Sequence, residues 1–176
     1  MHIVRSRTRI LRVCILYTAL VDSNPINKKN ILIDVNTLSI LLALGMNPNI
    51  VYVDNTLLDY AVSRNNVQAS ARLISYGADL TTCGGRAVRY AAWDGFSEIL
   101  DLLIQAGADV NLCNEDGVMY HSALYRALQY STVDIVSKLL TAGALVPDNA
   151  VDLAQRSMYH RKEKVELLKT LYNESL

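Results

Sequence analysis

Short stretches with apolar residues three and four apart alternate along the chain with polar, glycine-containing breaks. The breaks recur. Gly45, Gly77, Gly107 and Gly143 close the same phrase in Leu41-Leu42-Ala43-Leu44-Gly45, Leu73-Ile74-Ser75-Tyr76-Gly77, Leu103-Ile104-Gln105-Ala106-Gly107 and Leu139-Leu140-Thr141-Ala142-Gly143. The steps between these glycines are 32, 30 and 36 residues, while Ala61, Ala91 and Ala127 each stand 16 residues before theirs. A fixed spacing inside the unit and a variable one between units describe a rigid helical pair joined by tolerant loops. Each unit is therefore expected to carry an inner helix, with a small residue where neighbours approach closely, and an outer helix with paired large apolar residues. Those pairs are Leu73/Ile74, Leu103/Ile104 and Leu139/Leu140, with Leu41/Leu42 and Leu167/Leu168 at the ends. The glycine after each outer helix supplies a left-handed stop. One such hairpin cannot bury its own apolar face, so stacking makes the core.

The third unit reads Ala91-Ala92-Trp93-Asp94-Gly95-Phe96-Ser97-Glu98-Ile99-Leu100, then Leu103-Ile104-Gln105-Ala106-Gly107-Ala108-Asp109-Val110-Asn111. It resembles the ankyrin repeat, a unit of about 33 residues with a β-turn and two antiparallel helices. The resemblance covers residues 37–146 well and residues 13–36 and 147–176 loosely, as terminal capping repeats do. It implies an all-α fold: an α-solenoid of ankyrin repeats, helix–turn–helix units joined by β-hairpin-like turns. The expected organisation is a basic N-terminal arm or capping turn over residues 1–12 and one ankyrin-repeat domain over 13–176. Its units run 13–47, 48–80, 81–110, 111–146 and 147–176, with the first unit's helices near 10–20 and 36–44.

The departures from the family pattern carry expectations of their own. The Thr-Pro-Leu-His opening of the inner helix is replaced by Thr56-Leu57-Leu58-Asp59, Arg86-Ala87-Val88-Arg89 and Ser122-Ala123-Leu124-Tyr125. Losing the proline and the Thr–His bonds predicts less preorganised helix starts. Gly84 and Gly117 are placed in hairpin turns and Gly95 in the tight turn between helices. Small Ala69/Ser70, where Ile99/Leu100 and Ile135/Val136 are large, predict a looser contact in the second unit.

Composition adds exclusions. Among 176 residues, 17 basic and 17 acidic side chains balance, which argues against nucleic acid as the main partner. No run of 18 apolar residues suggests a membrane span. Arg5, Arg7, Arg9 and Arg12 precede the apolar stretch 13–21, the order of a targeting segment, but the stretch is short and already serves as a first helix. Three cysteines suit reduced thiols. Cys83 and Cys113 share a repeat position and are read as thiols half-covered by the hairpins; no further ligand is placed to complete a metal site with them. There is no phosphate-binding loop, and His2, His121 and His160 lie too far apart in a linear stack to share a metal or a catalytic triad. No catalytic residue, metal site or cofactor is expected, and the chain is read as no enzyme.

The resemblance implies binding of proteins through the concave face of the inner helices and the hairpin tips. Carried over residue by residue, the variable positions of that face are Ser63/Arg64, Trp93/Asp94, Gln129/Tyr130 and, less directly matched, Arg156/Ser157; the tips add Arg86, Glu115, Asp116, Tyr120 and His121. Tyr60 and Tyr90 share a repeat position and read as packing residues with a wet edge. Trp, Tyr and Arg are the residues that dominate protein interfaces, and Trp93 is the chain's one tryptophan. The stretch His160-Arg161-Lys162-Glu163-Lys164 reads as the solvated start of the last outer helix. The expected function is thus a non-enzymatic protein–protein interaction module: an adaptor, an inhibitor or a host-directed effector. The alternative is a nucleic-acid or anionic-lipid binder using the arginine-rich arm. A monomer is expected, with end-cap dimerisation as the alternative. The expected location is the cytoplasm, that of a host cell where the source is an intracellular bacterium or a virus.

Overall fold

The computed structural model describes residues 35–52, 55–113 and 122–173. The arm at 1–12, the helix expected near 10–20 and the tip residues Glu115, Asp116, Gly117, Tyr120 and His121 lie outside the described residues. Residues 1–48 and 49–176 form two compact units. In the first, helix α1 (Val35–Ala43) buries Leu38, Leu41 and Leu42 along one side. The Gly45 N–H donates to Leu42 O at 2.9 Å and the Met46 N–H to Leu41 O at 3.0 Å, which closes the helix C-terminus.

The second unit opens with a short antiparallel pair, β1 (Val51–Tyr52) and β2 (Asn55–Thr56), in which Val51 faces Thr56. Helices α2 (Leu57–Ser63) and α3 (Val67–Ser75), α4 (Thr82–Asp94) and α5 (Ser97–Gln105), α6 (Ala123–Tyr130) and α7 (Val133–Thr141), and α8 (Ala150–Gln155) and α9 (Arg161–Asn173) follow as pairs. The inner helices stack in the order α2, α4, α6, α8 and the outer ones in the order α3, α5, α7, α9. Ala61, Ala91 and Ala127 are buried in the inner row, and Leu73, Leu103 and Leu139 are fully buried in the outer one. The small-inside, large-outside expectation holds at all three units. The all-α solenoid expected from the repeat is the fold of this unit.

The chain ties successive units together with polar struts. The Asn49 side chain accepts the Asp79 N–H at 2.7 Å and donates to Gly77 O at 3.3 Å. Asn111 repeats the device, accepting the Leu145 N–H at 2.7 Å and donating to Gly143 O at 2.9 Å. On the outer row, the Lys138 ammonium reaches both Asp101 and Ser97 at 2.6 Å, linking α7 to α5.

Four expectations need correction. First, α4 starts at Thr82, so Gly84 belongs to a helix and not to a hairpin turn. That connection is three residues short. The Asp79 carboxylate gathers the Thr81 N–H and the hydroxyls of Thr81 and Thr82 at 2.7–2.8 Å and turns the chain directly into the helix. The Thr81 bonds, first of these causes, hold the Asp79 carboxyl below the usual carboxylate range. Second, two of the three altered helix starts are capped after all. Thr56 and Asp59 form a reciprocal capping box on α2, and the Ser122 Oγ accepts the Tyr125 N–H at 3.1 Å on α6. Only α4 has no side-chain cap among these three.

Third, in the last unit the fully buried leucine is Leu168, with Leu167 partly exposed. Leu168 is therefore the partner of Leu139, one place later than the paired-leucine reading. Fourth, Lys164 is fully buried, whereas His160, Arg161, Lys162 and Glu163 are exposed as expected. Ala69 and Ser70 are fully buried too, and the Ser70 hydroxyl finds no hydrogen-bond partner among the described residues.

Candidate protein-binding face

The paired small or apolar residues near the end of each inner helix point into the stack: Ala91 and Ala92 on α4, Ala127 and Leu128 on α6, all fully buried. A helix that commits two adjacent positions inward turns the next two outward. Those are Trp93/Asp94 and Gln129/Tyr130. Trp93 and Tyr130 are 42% and 39% exposed. Their rings stack with centroids 5.7 Å apart and planes 19° apart. The Arg126 guanidinium lies over the Trp93 ring, 4.4 Å from its centroid, a cation–π arrangement. Arg126 precedes Tyr130 by four residues, which puts both on one side of α6.

The turns behind these residues pack tightly. Gly95 ends α4 at a φ of +74°, and a Cβ there would stand 3.4 Å from the buried Ser131 hydroxyl, which follows Tyr130. On the other side, Gln129 O accepts the Met158 N–H at 3.4 Å and lies 3.1 Å from the Ser157 hydroxyl, whose one hydrogen it shares with Tyr159 O at 2.8 Å. Three successive inner-to-outer turns thus form one row. Partial desolvation raises the Asp94 carboxyl above its ordinary range.

The remaining sequence candidates scatter. Ser63 and Arg64 are exposed at the end of α2, where the Ser63 hydroxyl donates to Tyr60 O at 3.0 Å. Arg86 stands two turns before Trp93 on α4, and its guanidinium donates to the Asn55 side chain at 3.2 Å, at the strand-pair end. It does not join the Trp93 cluster. Ser157 is buried and faces the Gln129 carbonyl, so it is no part of an open stripe, while Arg156 is exposed and paired with Asp152 at 3.1 Å. Tyr60 and Tyr90 are half-buried, as packing residues with a wet edge would be. Cys113 is a free, half-buried thiol. Among the described residues, no three His, Cys, Asp or Glu side chains gather as a metal would require.

Two residues escaped the sequence reading. Arg126 sits between Tyr125 and Ala127, inside the motif that identifies the inner helix. Its spacing of four to Tyr130 was the available signal. Buried Lys164 was hidden in a run of charges.

Comparison with known proteins agrees with the repeat. The ankyrin-repeat family profile matches residues 87–115. The probable E3 ubiquitin-protein ligase XBOS32 of Oryza sativa subsp. japonica is 34% identical over 91 residues, which are 49% of this chain and 18% of that protein. The chain thus spans under a fifth of that relative. The crystal structure of an ankyrin repeat domain from Acinetobacter baumannii AYE superposes with a TM-score of 0.66 at 26% identity, covering 78% of this chain and 75% of that one. Ankyrin repeats are generally protein-interaction modules, typically without catalytic activity. No helix among the described residues is long and apolar enough to cross a membrane. With the repeat motif, the stacked helical pairs and these matches together, the chain is an ankyrin-repeat protein.

Proposed function

We propose that the chain works as a non-enzymatic adaptor, inhibitor or effector that binds a protein partner through the inner-to-outer turn face, anchored on Trp93 and Tyr130. One observation carries this reading: an exposed tryptophan held in order by a stacked tyrosine and a covering arginine. Large aromatic rings left in water normally cost ordering free energy when a partner fixes them. Here the stack and the guanidinium have fixed Trp93 beforehand, which is how interface anchors gain affinity. Asp94 and Gln129 supply polar groups beside the anchor, and the exposed Ser63 and Arg64 at the end of α2 extend the face. The site of action consistent with this role is the cytoplasm.

The test begins with capture of partners from a lysate and their identification, followed by titration of each purified candidate. Trp93→Ala/Tyr130→Ala is expected to weaken the specific partner at least tenfold while its circular dichroism stays that of the wild type. Full affinity in the folded double variant overturns the site. Capture of nucleic acid or anionic lipid that depends on residues 1–12 replaces the protein-binding reading with the alternative one.

A further inference from the structure

Four residues before their fully buried leucines, the outer helices carry Ala69, Ile99, Ile135 and Lys164, ahead of Leu73, Leu103, Leu139 and Leu168. All eight are fully buried. The last unit therefore places an ammonium where the two units before it place isoleucine. The Lys164 Nζ donates to Ala127 O at 3.0 Å, to Leu128 O at 3.0 Å and to the Ser157 hydroxyl at 2.8 Å. Three acceptors match the three N–H bonds of a lysine ammonium. Two of them are carbonyls in the last turn of α6, at the negative end of the helix dipole, and Ala127 O accepts the Ser131 N–H at 3.1 Å as well. The next carbonyl, Gln129 O, accepts the Met158 N–H of the same unit at 3.4 Å, and it competes with Tyr159 O, at 2.8 Å, for the one hydrogen of the Ser157 hydroxyl. The whole C-terminal turn of α6 is thus fastened to the last unit. That turn presents Tyr130 to Trp93.

We propose that Lys164 is a positioning residue for the Trp93–Tyr130 face: by clamping the C-terminal turn of α6 it sets the angle at which Tyr130 meets Trp93, so the last unit governs a binding face it does not form. The proposal rests on the reading of that face as the binding site. An isoleucine would fill the same volume, as at Ile99 and Ile135, but it offers no donor to Leu128 O or Ser157. Burial pushes the Lys164 ammonium down to about 8, so the third N–H is lost as pH rises past that point. The ionisable residues of the elements around it are Tyr125, Arg126 and Tyr130 on α6, Asp134 and Lys138 on α7, Asp152 and Arg156 on α8, and Tyr159 and His160 in the last turn. Lys138 pairs with Asp101 and Asp134, and Arg156 with Asp152; none of these is a hydrogen-bond partner of Lys164. On α9 itself, Arg161, Lys162, Glu163, Glu166 and Lys169 are exposed.

Because Trp93 is the chain's one tryptophan, its emission and near-ultraviolet circular dichroism report on this face directly. Lys164→Ile and Lys164→Met are compared with the wild type at neutral pH, alongside urea unfolding. The variants are expected to resist urea at least as well, since an apolar residue avoids the desolvation of a buried charge. Their Trp93 signals are nevertheless expected to shift. A purely structural lysine would move stability and leave the Trp93 signals where they are, and that result overturns the proposal. Should both variants fail to fold, the wild type decides. Magnetic resonance then follows the Lys164 Cε and the Trp93 indole N–H from about pH 7 to 9.5. A shared midpoint supports the clamp, and a Trp93 resonance indifferent to the lysine overturns it. Neither measurement contains a partner, so a face that binds nothing fails the earlier experiment and not this one.

Discussion

The Thr56 hydroxyl accepts the Asp59 N–H at 3.0 Å, and the Asp59 carboxylate accepts the Thr56 N–H at 2.8 Å. Each residue satisfies a donor that the start of α2 would otherwise leave open. Both side chains are buried, so water cannot replace either bond. Burial raises the Asp59 carboxyl, opposed by the two Thr56 bonds and by Arg86 and Arg89 nearby. Thr56→Ala is expected to cost about 1 kcal/mol, within the range of lost helix caps. Asp59→Asn keeps an acceptor and is expected to cost less than Thr56→Ala. Urea unfolding followed by circular dichroism checks both, read as midpoint shifts at constant slope.

This cap also shows where sequence reading reaches and where it stops. The helical pairs and the buried Ala61, Ala91 and Ala127 follow from spacing, because periodic burial leaves a periodic record, while the outward Trp93 and Tyr130 follow from the resemblance to the ankyrin repeat and its variable positions. The Thr56–Asp59 box was legible as well, since three-residue spacing of a hydroxyl and an acid is a helix-start signature. The family pattern obscures it by placing a histidine where this chain has the aspartate. Lys164 was of another kind. Its charge concealed a position that Ile99 and Ile135 mark as core, and only register with Leu168 reveals it. The early start of α4 was equally hidden, because a deletion shortens a loop without saying which element absorbs the change.

Gly85 lies in the first turns of α4 at a φ of +64°, and a Cβ there would stand 2.8 Å from Leu112 Cβ and 3.2 Å from Leu112 Cδ1. Left-handed backbone and direct contact act together, so Gly85→Ala is expected to cost about 2 kcal/mol or more. The nearest clash is with a Cβ, which Leu112→Ala retains. The double variant Gly85→Ala/Leu112→Ala relieves the Cδ1 contact but keeps the Cβ clash and the left-handed backbone, so it is expected to stay well below the wild type. Recovery of full stability by that second change, measured in urea, would show the contact to be with the leucine tip instead.

The Trp93 face and the core beneath it separate by stability. The Trp93–Tyr130 stack is half-exposed and is worth about 0.5–1.5 kcal/mol beyond area. Leu103, fully buried in the neighbouring outer helix, costs about 2–5 kcal/mol when truncated to alanine. Trp93→Ala is thus expected to leave a folded protein with a modest loss, and Leu103→Ala a severely weakened one. Arg126→Met removes the charge over the ring while keeping its aliphatic stem, and is expected to cost under about 1 kcal/mol. Thermal and urea unfolding of the three variants checks the order. A Trp93→Ala loss as large as that of Leu103→Ala would make the ring a core residue and remove it as an anchor.

Stability should also carry the titration of Lys164. Its folded value, about 8, lies below the ordinary lysine value, which is about 10.4. Between these two pH values the unfolded chain keeps a proton that the folded one has released. Stability attributable to this residue therefore rises with pH across that window, is flat below it and is flat again above it. The full shift corresponds to about 3 kcal/mol, and the three hydrogen bonds to the ammonium oppose it, so that figure is a ceiling. Tyrosines and other lysines titrate at the upper end of the same window, so the quantity to follow is the difference between wild type and Lys164→Met. The variant's advantage is expected to be greatest near pH 7 and to shrink as pH rises through about 8 to 10. Urea midpoints taken at half-unit intervals give that difference directly. A gap that stays constant with pH would mean that Lys164 keeps its proton when folded, held by the carbonyls of Ala127 and Leu128 against the cost of burial.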